Sequence, residues 1–291
     1  MLIGEETYAS INLTAAYGEQ LSGVTLTQIA SEQRSSDTGG GGIDQTSNRE
    51  KSGKASEEDT SDSKAQAIAE ISGSKQPGVI DHLLMRPLPN EAKDTSMSIM
   101  LCYPSIGRKD IDSDIRRWIT EIADAFEQHF DYRALPFESG TQIELTSLYS
   151  VSQPSSKAIS ITFELWNYTG GEHANLDVVT LNYSLINGQR IELSDIFGKP
   201  DEALQLMSKW ARSILSSRYG LGRKQMVMNG TAPLVENFSS LTLTPKGVCI
   251  NFQPYQVAGW EMGVQKVEMP LEALAAAQPL SIFWEKPNPM P

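Results

Sequence analysis

Residues 159–193 read ISITFELWNYTGGEHANLDVVTLNYSLINGQRIEL and carry the clearest fold signal in this chain of 291 residues. Apolar residues alternate over 159–165 and again over 181–185, which is the period of a half-buried β-strand. Asn187-Gly188 follows the second run, and this dipeptide favours a tight hairpin turn because both residues tolerate positive φ. The stretch therefore predicts two strands and a turn into a short returning strand at 190–193.

The flanking regions extend this pattern into an α+β fold. Residues 143–151 alternate in the same way and reach 159–165 through a turn at 153–156. Apolar residues recur every three or four positions over about 110–131 and 200–218, which is the spacing of amphipathic helices. The alternation over 181–185 lies in a strand of about 176–186. Further strands are predicted at about 97–106, 241–243, 248–252 and 264–269, with a short closing helix at 271–277. We predict a largely antiparallel sheet packed by two main helices, within one domain spanning residues 78–291.

Residues 1–77 are predicted to form a disordered, acidic tail ahead of that domain. Over 31–77 the chain is dominated by Ser, Gly and charged residues, which bury too little apolar surface to offset the entropy of ordering. Residues 7–30 hold a mildly apolar patch, which is either a segment that docks to a partner or part of the tail. The first 75 residues contain twelve acidic and six basic side chains, so they supply −6 of the net charge of −12.

The amino-acid composition and net charge of the chain argue against several classes of function. The net charge of −12 argues against nucleic-acid binding, because phosphate recognition needs a basic surface. No apolar run approaches the ~20 residues that span a bilayer. The first residues lack the basic and apolar regions of a secretory signal, which taken literally predicts a cytoplasmic protein. Cys102 and Cys249 lie in apolar runs, so we expect buried thiols rather than a disulfide framework.

Four motifs in order identify a family resemblance. Tyr103-Pro104 precedes the first helix, residues 168–174 read YTGGEHA, 188–197 read GQRIELSDIF, and 252–263 read FQPYQVAGWEMG. Over about 96–277 the chain resembles the C-terminal domain of RsiV-type anti-sigma factors, which also precedes the catalytic domain of PdaC-like peptidoglycan deacetylases. Glu172, Ala174 and Trp260 depart from the family pattern. The resemblance implies an extracytoplasmic, non-catalytic binding domain whose ligand in RsiV-like proteins is lysozyme.

Two loops hold the candidate binding residues, because polar and aromatic loops positioned by strands are where ligand contacts concentrate. No metalloprotease, serine-hydrolase, paired-cysteine or phosphate-loop motif occurs, so we predict no catalytic residue, no metal and no cofactor. The alternative is structural: Gly170-Gly171 turns the first loop, its polar residues hold the backbone, and the aromatic residues of the second loop pack on the core. The candidate residues are Trp166, Tyr168, Glu172, His173, Asn175, Tyr255 and Trp260.

Three functional hypotheses follow. The favoured one is a non-catalytic binding module of the bacterial cell envelope, which recognises a lysozyme-like protein or a peptidoglycan fragment. The second is a glycan-directed hydrolase that uses Glu172, His173 and Asp177. The third is a cytoplasmic or non-classically exported interaction protein that docks through residues 7–30. The residues define neither the compartment nor an oligomeric state.

Overall fold

The computed structural model describes residues 78–88, 96–129, 142–170 and 173–284. The predicted tail and docking segment within residues 1–77 lie outside these ranges, as does Glu172. The domain boundary near residue 78 therefore stays a prediction.

Five strands form the larger sheet, in the order in which they occur along the chain: β1 (Ile80–Leu88), β2 (Ser96–Ser105), β3 (Gln142–Ser155), β4 (Ala158–Tyr168) and β5 (Asn175–Ser184). The pairs β1–β2, β3–β4 and β4–β5 are antiparallel, whereas β2 and β3 are parallel. A helix, α1 (Lys109–His129), connects β2 to β3, and a crossover of this length allows the chain to start the next strand from the same end of the sheet. The predicted α+β fold with a largely antiparallel sheet is confirmed.

Helix α1 covers one face of this sheet and creates the first apolar core. Its buried stripe recurs at the helical period, as predicted, and includes Ile111, Ile115, Trp118, Ile122 and Phe126. The rings of Trp118 and Phe163, the latter from β4, have their centroids 4.8 Å apart. The alternation that predicted β4 therefore identifies the face that meets the helix.

A second, three-stranded sheet consists of β6 (Leu241–Thr244), β7 (Gly247–Phe252) and β8 (Gln265–Pro270), all antiparallel. Helix α3 (Pro200–Tyr219) packs within the second apolar core, after the short helix α2 (Leu193–Ile196) and before α4 (Lys224–Gly230). The side chain of Ile214 on α3 is 39% exposed and does not belong to this core. A 3-10 helix at Leu271–Ala277 replaces the predicted closing helix.

Polar side chains join the two sheets. The hydroxyl oxygens of Thr162 on β4 and Thr242 on β6 are 2.7 Å apart. The side-chain amide of Asn182 on β5 donates to the carbonyl of Leu241 at 2.8 Å. We call this contact the inter-sheet seam. It separates the two apolar cores, so each sheet has its own helix and its own hydrophobic interior.

The Asn187-Gly188 turn closes the end of β5. Gly188 has φ 75°, which favours glycine, and a Cβ added there would lie 1.8 Å from a carboxylate oxygen of Asp110, so the Asp110 side chain would have to move. The predicted returning strand at 190–193 is reduced to one bridge, between Tyr183 and Arg190. The chain then enters α2 at Leu193.

Candidate functional site

The structure brings the two candidate loops together at one point. The imidazole of His173, in the β4–β5 loop, stacks on the indole of Trp260, with ring centroids 4.3 Å apart and planes inclined by 17°. His173 Nδ1 lies 3.1 Å from the carbonyl oxygen of its neighbour Ala174. His173 is exposed and Trp260 is half-buried. We call this contact the His173–Trp260 pair. It joins a loop of the larger sheet to the β7–β8 connection of the smaller one.

Tyr255 extends from the second loop into solvent. Its side chain is 55% exposed and its φ is 65°, a left-handed value that is uncommon outside glycine. The turn beneath it is held by two hydrogen bonds: the Gln253 N–H donates to Gln256 Oε1 at 2.9 Å, and the Gln256 N–H donates to the Gln253 carbonyl at 3.1 Å. Val257 is fully buried. The loop is therefore anchored in the core while Tyr255 stays accessible.

Other candidate residues lie apart from each other because strand side chains alternate between faces. Trp166 is paired with Leu176 and Asn167 with Asn175 in successive rungs of β4 and β5, so Trp166 and Asn175 point to opposite faces of the sheet. Asn175 Nδ2 donates to Asn167 Oδ1 at 3.4 Å. The indole N–H of Trp166 is buried, and the described part of the chain offers it no acceptor.

Tyr168 is half-buried and ends β4, on the same face as Trp166. Within the described ranges, the two candidates brought into contact are thus His173 and Trp260.

Asp177 is buried in the face of the larger sheet that also carries its cross-strand partner, Leu165. Its exposure is 1%, and neither carboxylate oxygen has a hydrogen-bond partner in the described structure. Burial raises the pKa of the Asp177 carboxyl well above its ordinary value of 3.8, because an apolar environment disfavours the charged form. This carboxyl therefore differs in environment from His173, which is exposed.

The remaining nucleophilic and metal-binding side chains are dispersed. Cys102 is buried and Cys249 half-buried, and no disulfide joins them. Burial raises the pKa of the Cys249 thiol. His82 stacks on Tyr103, with ring centroids 5.3 Å apart, on the β1–β2 side of the larger sheet. Over the residues that the structure describes, no three His, Cys, Asp or Glu side chains are grouped so as to hold a metal ion.

A cavity of about 540 Å³ beside the outer edge of β5 was not predicted from the sequence. Arg190 lines it, and its Nε donates to Asp114 Oδ2 at 2.7 Å. The hydroxyl of Tyr183 donates to the same oxygen at 2.9 Å. Burial alone would raise the pKa of Asp114, but the hydrogen bonds from Arg190 and Tyr183 outweigh burial and lower it. Asp114 and Arg190 are 76 positions apart, so no local pattern connects them.

No helix within the described ranges combines the length and the apolar character needed to cross a bilayer.

Comparison with known proteins agrees with the class of fold and with the resemblance. Residues 194–272 match the family model described as "Protein of unknown function (DUF3298)". Two solved structures of DUF3298 family proteins share the fold. The one from Pseudomonas aeruginosa PAO1 has a TM-score of 0.51 at 13% identity and covers 72% of this chain and 97% of its own. The one from Bacteroides fragilis NCTC 9343 has a TM-score of 0.50 at 15% identity, covering 68% and 92%.

A curated relative confirms the more specific resemblance. Over 182 residues, 62% of this chain, the sequence is 25% identical to peptidoglycan-N-acetylmuramic acid deacetylase PdaC of Bacillus subtilis (strain 168). The match covers 38% of that protein, so the chain spans well under half the length of this relative. The similarity to a PdaC-like domain of unknown function, predicted from the sequence motifs, is therefore confirmed.

Proposed function

We propose that this chain is a non-catalytic binding domain of the bacterial cell envelope, and that it recognises peptidoglycan fragments through the surface around the His173–Trp260 pair. The stacked pair carries this proposal, since it places an exposed imidazole on an indole where two loops from different sheets meet. Aromatic side chains of this kind provide large contact area together with a polar group. Tyr255, exposed in the second loop, adds a further aromatic ring.

The choice of ligand rests on chemistry and on the relative. PdaC is by name a deacetylase of peptidoglycan N-acetylmuramic acid, and this chain is similar to 38% of it. A binding role is favoured over catalysis because the proposed acid–base group Asp177 is buried without a partner, whereas His173 lies at the surface. General acid–base catalysis needs the two groups within reach of one substrate.

Calorimetric titration with soluble muropeptides tests the proposal, with lysozyme as the second ligand. We expect muropeptides to bind, and Trp260→Ala and His173→Ala to weaken binding at least tenfold, because aromatic anchors dominate such contacts. His82→Ala is a matched control, since it removes another histidine stacked on an aromatic ring but on the β1–β2 side of the sheet.

The outcomes separate the alternatives. If lysozyme binds but muropeptides do not, and the same two substitutions weaken lysozyme binding, the ligand in the proposal is lysozyme and the binding surface is unchanged. No binding to either, or equal losses in the control and in Trp260→Ala, would refute the proposal. Release of soluble sugar by the wild type, abolished in His173→Ala, would favour the hydrolase.

A further inference from the structure

The outer edge of β5 is closed by hydrogen bonds at two places and open between them. On this strand the backbone N–H and C=O of even-numbered residues point away from β4, because hydrogen-bonding direction alternates along a strand. At Val178, the carboxamide of Gln253 accepts from the backbone N–H at 2.8 Å and donates to the carbonyl at 2.7 Å. At Asn182, the carbonyl accepts from the Ile191 N–H at 2.8 Å.

Thr180 lies between these two closed positions. Its N–H and C=O share the outward direction, and β5 has no neighbouring strand on that side in the described sheet. The described residues supply no hydrogen-bond partner for either group. An unpaired rung at a sheet edge is a template for another extended chain.

This open rung faces the cavity of about 540 Å³, whose walls include Thr180, α2 and the start of α3. That volume lies within the range of roughly 300–1,000 Å³ typical of ligand sites. From Val178 to Asn182 the strand extends about 13 Å, at roughly 3.3 Å per residue. The gap therefore accommodates about three residues of an added strand, of which the central one exchanges two hydrogen bonds with Thr180.

Charge and apolar surface define the side chains that would fit. Three charged residues line the cavity, Arg190, Glu192 and Asp201. The guanidinium of Arg190 is compensated by Asp114, so the two carboxylates leave the cavity negative. Val235, 58% exposed, provides an apolar contact in the wall. A chain that carries both basic and aliphatic side chains is complementary to these features.

We propose that the β5-edge cavity binds an extended, basic peptide segment of another protein, which pairs with Thr180 as one added rung of the sheet. The geometry selects a peptide over the acetamido group of a sugar. A peptide residue in extended form presents its N–H and C=O on one side, as Thr180 does. A secondary amide points the two groups in opposite directions and satisfies one at most. This site is separate from the His173–Trp260 pair and goes beyond the function proposed for it.

The probe is the blocked peptide acetyl-Val-Lys-Val-Lys-Val-amide, titrated calorimetrically into the full chain. We expect binding that weakens with added salt, as for other exposed ionic contacts. The same peptide N-methylated at every residue keeps no N–H donor except its terminal amide, and we expect it to bind at least tenfold more weakly. Failure of the unmodified peptide to bind, or equal affinity for the methylated one, would overturn the proposal.

Three variants locate the binding. Thr180→Pro removes the cavity-facing N–H but no hydrogen bond to β4, and we expect at least a tenfold loss of affinity. Thr180→Pro also removes the Thr180 hydroxyl, which contacts the Thr162 hydroxyl at the inter-sheet seam. Thr162→Val removes a hydroxyl from the same seam without changing the β5 edge, so it should bind the peptide normally. Asp201→Lys, on an exposed residue, should weaken peptide binding and reduce its salt dependence. If Thr180→Pro does not fold, this variant alone tests whether the peptide binds in the cavity. If Asp201→Lys binds the peptide with wild-type affinity, and Thr180→Pro folds and also binds it, the peptide does not bind at the β5 edge.

Discussion

The buried carboxyl of Asp177 leads to a specific prediction for the stability of this protein. The group is 1% exposed and neither oxygen is hydrogen-bonded in the described structure. Burial raises its pKa above 3.8, so the folded protein keeps a proton that the unfolded chain has already released. The contribution to stability is therefore complete below pH 3.8 and is lost as the pH rises from there through the raised pKa.

Two substitutions at Asp177 separate the effect of its ionisation on stability from the effect of its buried polar atoms. Asp177→Asn preserves the shape and removes the titration, so it should match the wild type near pH 4 and become more stable than the wild type at neutral pH. Asp177→Val also removes the polar atoms. Because an unpaired buried polar group costs about 1–3 kcal/mol, we expect Asp177→Val to raise the free energy of unfolding by about that amount at pH 7. The exposed Asp201→Asn is the control, expected to change stability by less than about 0.5 kcal/mol.

Urea unfolding followed by tryptophan fluorescence from about pH 4 to about pH 8 measures these differences. The wild-type free energy of unfolding should fall with rising pH relative to Asp177→Asn. Superimposable pH profiles would refute the reasoning. So would a loss of more than about 1 kcal/mol in Asp177→Asn at neutral pH, because it would mean that the carboxylate is charged and paired.

Three further changes test the contacts around β5. Asp114→Asn should lower the free energy of unfolding by about 1–3 kcal/mol at pH 7. Because the Asp114 pKa is lowered, the difference should shrink as the pH falls from 3.8 through that lowered pKa, which urea unfolding extended to more acidic pH would show. Gln253→Ala removes the two hydrogen bonds that the Gln253 side chain makes with Val178 and should cost about 1–3 kcal/mol, with faster hydrogen exchange at the Val178 amide. Gly188→Ala should cost about 1–2 kcal/mol in thermal unfolding, because φ is 75° and the new Cβ meets Asp110; an unchanged Tm would show that the turn relaxes freely.

Local periodicity predicted the main elements. The helix expected at about 110–131 is α1 at Lys109–His129, and the one expected at 200–218 is α3 at Pro200–Tyr219. The β3–β4 hairpin also formed, with its turn at 156–157 rather than 153–156. In each case the signal is a repeat of apolar residues within one element, which depends on nothing distant.

Contacts between elements could not be predicted in this way. Strand β1 (Ile80–Leu88) was missed because its sequence, IDHLLMRPL, does not alternate. The division into two sheets depends on strand order, and strand order is set by long-range packing. At the site, the opposite orientation of Trp166 and Asn175 follows from the register of β4 and β5, which only the pairing reveals. The His173–Trp260 contact joins loops that leave two different sheets.

The inter-sheet seam has a consequence for that contact. Hydrocarbon surfaces tolerate sliding, whereas hydrogen bonds require set distances and angles. The bonds between Thr162 and Thr242, and from Asn182 to Leu241, therefore fix the angle at which one sheet crosses the other. The loop that carries His173 leaves the larger sheet and the one that carries Trp260 leaves the smaller sheet, so the alignment of the two rings depends on hydroxyl and amide groups buried between the sheets.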